Sequence, residues 1–380
     1  MSLIITILAF FCVLFVLVIA HELGHFIVAR LFGIGVEEFG FGIPPRIIGL
    51  KHKGVMWSLN LLPLGGFVRI KGYEDGVGSD EKDSFGHQKI WKRLSVVSAG
   101  VAINLVFAWV LIVIGLSVGW PTDLDNTSIP DSYIKERESL VVFVEPGSVA
   151  ELAGIQNGDI VLKANEKSFH ALDDLLAELK DSRIRKFDLT IRRNKETLSF
   201  SLLRPLFAPL PMIYDQETGN SLPADQFEKE RLGIGLNEVG VVAYPFPVSV
   251  WEGTKKTASF FVLIATAFYD LFKNLFLHAS VSQNLAGPLG VASLTGHVVN
   301  LGFLYVIQFV AILSLNLAFV NFLPFPGLDG GRALFLVINK IKGRDIDGRI
   351  ERLVHTTGIW ILLFSIFLLT IRDIIHLKGF

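Results

Sequence analysis

Residues 3–25 read LIITILAFFCVLFVLVIAHELGH. From Leu3 to Ala20 no side chain is charged, and a helix of that length reaches about 27 Å, close to the hydrocarbon thickness of a bilayer. A cleaved signal peptide is the alternative. It wants a basic segment before the apolar run and a small-residue cleavage site after it. No basic residue precedes Leu3, and the run passes straight into His21-Glu22-Leu23-Gly24-His25. The stretch therefore predicts a membrane-spanning helix that carries H-E-x-x-H in its last turns. On a helix, positions i and i+4 share a face, so both imidazoles can bind one Zn²⁺, and Glu22 beside that face can activate a metal-bound water. The pattern alone arises often by chance. Two histidines and a glutamate at bilayer depth, however, are costly unless they work.

The rest of the 380-residue chain fits a membrane protein: 51% of it is hydrophobic, with 31 Phe, and mean hydropathy is +0.52. Further apolar runs lie at about Leu94 to Trp120, Phe303 to Phe322 and Thr356 to Ile371. Four spans place both termini on one side. The loop after the first span is rich in Lys and Arg from Arg30 to Arg93, and the loop between the third and fourth from Arg332 to Arg352. The positive-inside rule makes both loops cytoplasmic, with the termini and the middle of the chain outside. The net charge of −1 gives no sign of nucleic-acid binding. Cys12 is the single cysteine, which excludes a disulfide within the chain and a thiolate metal cluster.

The middle region reads as soluble. Leu140–Val144, a Pro-Gly turn, a short helix, a Gly turn and a strand at Ile160–Leu162 follow one another, and Asp173 to Lys180 reads as a helix. Arg204 to Gln226 reads as a linker. Val248 to Leu277 is amphipathic and suits an interfacial position.

Two histidines and a water leave one protein ligand missing from a catalytic zinc site. The first and third spans run in the same direction. The end of the third, Asn321-Phe-Leu-Pro-Phe-Pro-Gly-Leu-Asp329-Gly-Gly-Arg332, therefore places Asp329 at the depth of His21 and His25. Pro324, Pro326 and Gly327 would break the helix there, with Gly330 and Gly331 adding freedom. The bland alternative is a plain turn that leaves Asp329 exposed. His52, His87, His170, His278, His297, His355 and His376 fall outside any ligand spacing and read as surface or hydrogen-bonded residues. Glu37 and Glu38, just past the first span, read as solvated.

Several motifs together carry a resemblance. They are His21-Glu-Leu-Gly-His25, Gly40-Phe-Gly42, Leu62-Pro-Leu-Gly-Gly-Phe-Val-Arg69, Asn284-Leu-Ala-Gly-Pro288, and Asn316 through Asn321 to Leu328-Asp-Gly-Gly331. In this order the chain resembles the site-2 proteases, intramembrane zinc metalloproteases, and most of all the bacterial regulator-of-sigma-E group. The resemblance implies that His21, His25 and Asp329 bind zinc and that Glu22 is the general base. It also places Asn316 and Asn321 near the substrate, where a helix–helix hydrogen bond is the alternative for either. Trp57 to Gly72, which contains Gly65 and Gly66, resembles a membrane-associated β-hairpin able to pair with an unwound substrate strand.

The implied fold is a polytopic α-helical membrane protein of four transmembrane helices with that hairpin and an inserted extracytoplasmic PDZ-like α+β domain. Its divisions fall at 1–120, 121–245 (PDZ-like core about 139–203), 246–302 and 303–380. One copy of the PDZ-like pattern is evident, acting either as a size filter or as a peptide groove. Implied partners are the bilayer and single-span membrane proteins, such as anti-sigma-factor-like proteins or remnant signal peptides. The implied location is a bacterial inner membrane. A membrane-anchored scaffold with a decayed metal site is a rival, against which the intact Glu22 argues. A metal transporter is another, and it would need a polar track that Thr357 to Leu369 does not offer.

Overall fold

The computed structural model describes residues 3–73, 81–125, 127, 129–165, 167–169, 172, 174, 175, 186–193, 196–203, 233–278, 287–344 and 346–377. The chain divides into two units. One joins Met1–Ser117 to Pro245–Phe380, and the other is Val118–Tyr244. The elements begin with α1 (Leu3–Leu31), β1 (Val36–His52), β2 (Val55–Ile70), α2 (Ile90–Val118), β3 (Trp120–Asp123) and β4 (Ile134–Val144). Next come α3 (Val149–Ala153), β5 (Ile160–Ala164), β6 (Lys167–Ser168), β7 (Lys186–Arg193), β8 (Glu196–Leu203) and β9 (Ile234–Val242). The chain closes with α4 (Val248–His278), α5 (Pro288–Leu301), α6 (Phe303–Phe322), α7 (Asp329–Lys342) and α8 (Gly348–Leu377). The linker reading at Arg204 to Gln226, Asn284-Leu-Ala286, His170 and most of Asp173 to Lys180 lie outside the described residues.

In the first unit, α1, α2, α6 and α8 are long and apolar enough to cross a membrane. They leave large apolar side chains such as Leu8, Val106, Trp360 and Phe367 outward-facing. For a chain in water that would be a liability, and for one in lipid it is the expected surface. Among the side chains these helices turn inward, several are small. Ala99, Gly100 and Ala108 are buried on α2, and Ala311, Ser314 and Ala318 on α6. A β-carbon added at Gly24 would lie 2.7 Å from the Ala99 carbonyl carbon, so α1 and α2 touch backbone to backbone, as small residues permit in membranes. Near the end of α8, the Asp373 carboxylate accepts from the backbone N–H groups of Gly287 (3.1 Å) and Gly290 (2.8 Å), capping the start of α5.

The extended region begins earlier than Trp57. β1 and β2 form a hairpin closed between His52 and Val55, where Lys53 (φ 47°) and Gly54 (φ 84°) supply the two left-handed residues of a tight turn. Residues 46–52 of β1 face 55–60 of β2, and residues 36–41 face 66–70. The first half of β1 is used a second time, with Glu38 opposite Met56 and Phe41 opposite Leu59. The long strands thus fold over one another. Ile43, Ile47, Ile48, Leu50, Leu61 and Leu62 are left exposed. Glu38 is not solvated as its position after the span suggested. It is 4% exposed, with Arg46 at 2.7 Å and Arg69 at 3.3 Å. The strand pairing brings these two cations to it from 8 and 31 residues away, and a buried carboxylate needs that pairing.

The second unit is one antiparallel sheet in the order β3-β9-β4-β5-β7-β8, with β6 on β5. The strands flanking the predicted core, β3 and β9, complete this same sheet. Val141, Ala150, Ile155, Phe187, Leu189, Ile191 and Leu202 make its core. Ser148 caps α3 by accepting from Glu151 N–H, and Gly154 ends it in the left-handed region at φ 90°. This is the turn–helix–turn reading made from the sequence.

Candidate metal centre

His21 and His25 lie one turn apart on α1 with their rings buried. Behind them runs α2, which offers Val96, Gly100 and Asn104 at four-residue spacing. His25 Nδ1 donates to the Val96 carbonyl at 2.8 Å, which fixes the proton there and leaves Nε2 with a free lone pair. A β-carbon on Gly100 would stand 2.6 Å from His21 Cε1 and 2.7 Å from His21 Nε2. Only glycine lets the helix come this close. His21 Nδ1 lies 3.3 Å from the Asn104 side-chain amide.

Asp329 arrives from elsewhere in the unit. Helix α6 ends at Phe322, and Leu323 to Leu328 cross without helix, as the two prolines dictate. Gly327 (φ 95°) donates its N–H to His355 Nδ1 at 2.9 Å, so His355 is a hydrogen-bonded histidine. Helix then resumes with Asp329 in its first turn. Gly330 and Gly331 were expected to loosen this stretch. They are instead inside α7, where added β-carbons would meet the Phe322 and Phe325 carbonyl carbons at 2.6 and 2.8 Å. Their role is close packing, which holds α7 against the end of α6.

Three atoms converge as a result. His21 Nε2 and His25 Nε2 are 3.3 Å apart, and Asp329 Oδ2 is 3.1 Å from the first and 3.2 Å from the second. A tetrahedral metal with bonds of 2.0–2.1 Å spaces its ligand atoms about 3.3 Å apart. The observed triangle has that size, and two imidazole nitrogens with one carboxylate oxygen is a donor set zinc accepts.

Glu22 is half-buried on the same turn of α1, within electrostatic reach of both histidines, Asp329 and Arg332. Gly66 brings β2 against it, since a β-carbon there would lie 2.8 Å from Val18 Cγ1 and 3.3 Å from Glu22 Cγ. Gly65 (φ 80°) has open space on its side-chain face. The structure brings Gly66 to the centre, and Asn316 Nδ2 donates to Ile312 O of its own helix at 3.0 Å. Asn321 stands one residue before the end of α6. Sequence reasoning missed Val96, Gly100 and Asn104. The available signal was Asn104 itself, a carboxamide in an otherwise apolar span.

The family model for peptidase family M50 matches residues 9–365. A protein of a Nostoc species named "Putative zinc metalloprotease" is 31% identical over 374 residues, spanning 96% of this chain and 94% of its own. One of the same name from Clostridium perfringens is 30% identical over 360 residues, spanning 94% of this chain and 95% of its own. The Regulator of sigma-W protease RasP of Bacillus subtilis is 26% identical over 451 residues, spanning 97% and 98%.

Proposed function

The chain belongs to peptidase family M50, a membrane-embedded zinc metalloprotease of the site-2 type, and on that premise we propose that His21, His25 and Asp329 hold the zinc and Glu22 is the general base. The observation that carries the reading is the triangle of Nε2, Nε2 and Oδ2 atoms with edges of 3.1 to 3.3 Å. Zinc, when bound there, supplies a Lewis acid that acidifies a water and polarises the scissile carbonyl. Glu22 takes the proton from the attacking water and returns it to the departing amide nitrogen. The carbonyl of Val96 keeps His25 in the tautomer that directs Nε2 to the metal.

Peptide bonds in a helix are shielded by their own hydrogen bonds, so the substrate must be presented extended. The stretch around Gly65 and Gly66 lies next to Glu22 and suits strand addition. Asn316 and Asn321 hold the substrate backbone or the developing oxyanion. The substrates are single-span membrane proteins of the anti-sigma-factor kind, or remnant signal peptides, in a bacterial inner membrane. The termini and the PDZ-like unit lie outside, and that unit excludes bulky ectodomains.

The test is metal content and cleavage of a single-span substrate by the purified full chain. His21→Ala, His25→Ala and Asp329→Ala should lose zinc. Glu22→Gln should keep it and lose activity by about 10²–10⁴-fold. Normal zinc in Asp329→Ala refutes the ligand assignment.

A further inference from the structure

Asn104 is fully buried in the middle of a span where a carboxamide is costly. Two of its groups are tied to other spans. Its backbone carbonyl accepts from Ser314 Oγ of α6 at 2.8 Å, and its side-chain amide lies 3.3 Å from His21 Nδ1. Its Oδ1, by contrast, is buried without a hydrogen-bond partner among the described residues.

An imidazole that gives Nε2 to a metal carries its proton on Nδ1 and needs an acceptor there. His25 has one in the Val96 carbonyl. For His21 the group in place is the Asn104 amide, whose oxygen and nitrogen exchange by a half-turn about χ2. With Nδ2 toward the ring, His21 Nδ1 must accept, and its proton then sits on the Nε2 that faces Asp329. With Oδ1 toward the ring, Nδ1–H has its acceptor, Nε2 presents its lone pair, and the orphaned oxygen gains a donor. The amide NH₂ turns to the position the oxygen leaves.

We propose that Asn104 is a positioning residue of the metal centre, its side-chain oxygen accepting the Nδ1–H of His21 and so selecting the tautomer that presents Nε2 to zinc. The inference rests on the reading of His21 as a ligand. Ser314 holds the Asn104 backbone from α6, the span that leads to Asp329.

The test uses the full chain, purified in detergent, as wild type, Asn104→Asp, Asn104→Leu and His21→Ala. Zinc affinity is read by chelator competition and the centre by the visible spectrum after cobalt loading. Asp supplies only acceptor oxygens at this position, and Leu supplies volume without one. Asn104→Leu should bind zinc about 10–100-fold more weakly and shift the cobalt bands. Asn104→Asp should retain wild-type affinity and spectrum. Asn104→Asp as weak as Asn104→Leu, with metal-free melting like wild type in both, would overturn the proposal. So would wild-type affinity in Asn104→Leu. If Asn104→Leu does not fold, a tenfold or greater loss in Asn104→Asp alone overturns it, about 1.4 kcal/mol. Wild-type affinity in His21→Ala would instead sink the ligand assignment. Loss in His21→Ala with none in Asn104→Leu sinks only the role of Asn104.

Discussion

Replacing Gly100 with alanine should disable the metal centre without touching any ligand. The new methyl would lie 2.6 Å from His21 Cε1 and 2.7 Å from His21 Nε2, and closer still to His25 Nε2. Ordinary contact starts near 3.4 Å, so the rings and helix must separate by roughly 1 Å at the closest contact. That is about half of a zinc–nitrogen bond. The usual escapes are closed. His25 is tethered to Val96 O, and Ser314 fixes α2 one turn further along. Overpacking of this kind costs about 1–3 kcal/mol. Falling on the geometry that holds zinc, it weakens binding about 5- to 150-fold, at 1.4 kcal/mol per tenfold. Chelator competition on purified Gly100→Ala measures the loss, with melting of the metal-free protein to separate it from general misfolding. Gly348→Ala is the control, since a β-carbon there meets nothing within 4 Å. Wild-type zinc affinity and turnover in Gly100→Ala would refute the close approach of α2 to the histidines.

Two further outcomes concern the membrane. On a Cys12→Ala background, a cysteine at Glu196 should react with an impermeant thiol reagent in intact cells and one at Arg344 should not, and the reverse pattern would invert the proposed orientation. The size-filter reading predicts that the intact enzyme prefers a short-ectodomain substrate and that removing the second unit narrows this preference. Because β3 and β9 belong to the same sheet as the core strands, the excision should take Val118–Tyr244 whole. An unchanged length preference after it would sink the filter.

The spans and the two ends of the proposed metal site were legible because their signals are local. An uncharged run of bilayer length needs no partner to be read, and neither does H-E-x-x-H on a helix. Asp329 was reachable because direction of travel puts the ends of two spans at one depth. The backing wall was not, since Val96 contributes only a carbonyl and Gly100 only the lack of a side chain. Such roles exist only once α2 has packed. Glu38 failed for the same reason: its cations come from strand pairing, so its neighbours in sequence gave no hint of burial. Gly330 and Gly331 show the ambiguity of glycine, which permits both loose turns and close approach. β9 joins the sheet from across residues 204–232, and no local pattern announces a pairing over that distance.

The segment at residues 66–70 pairs with β1 along one side and with no described strand along the other. Glu22 stands at the end of it marked by Gly66. A chain that adds to such an edge is gripped by its main-chain groups, which are alike for every sequence. It can shift without turning its side chains to the opposite face only by two residues at a time. Such a protease would select bonds by parity. Alternative cuts in one substrate would fall an even number of residues apart, and inserting a single residue beside the cleaved bond would move the cut or abolish it. Swapping side chains in place would leave its position unchanged.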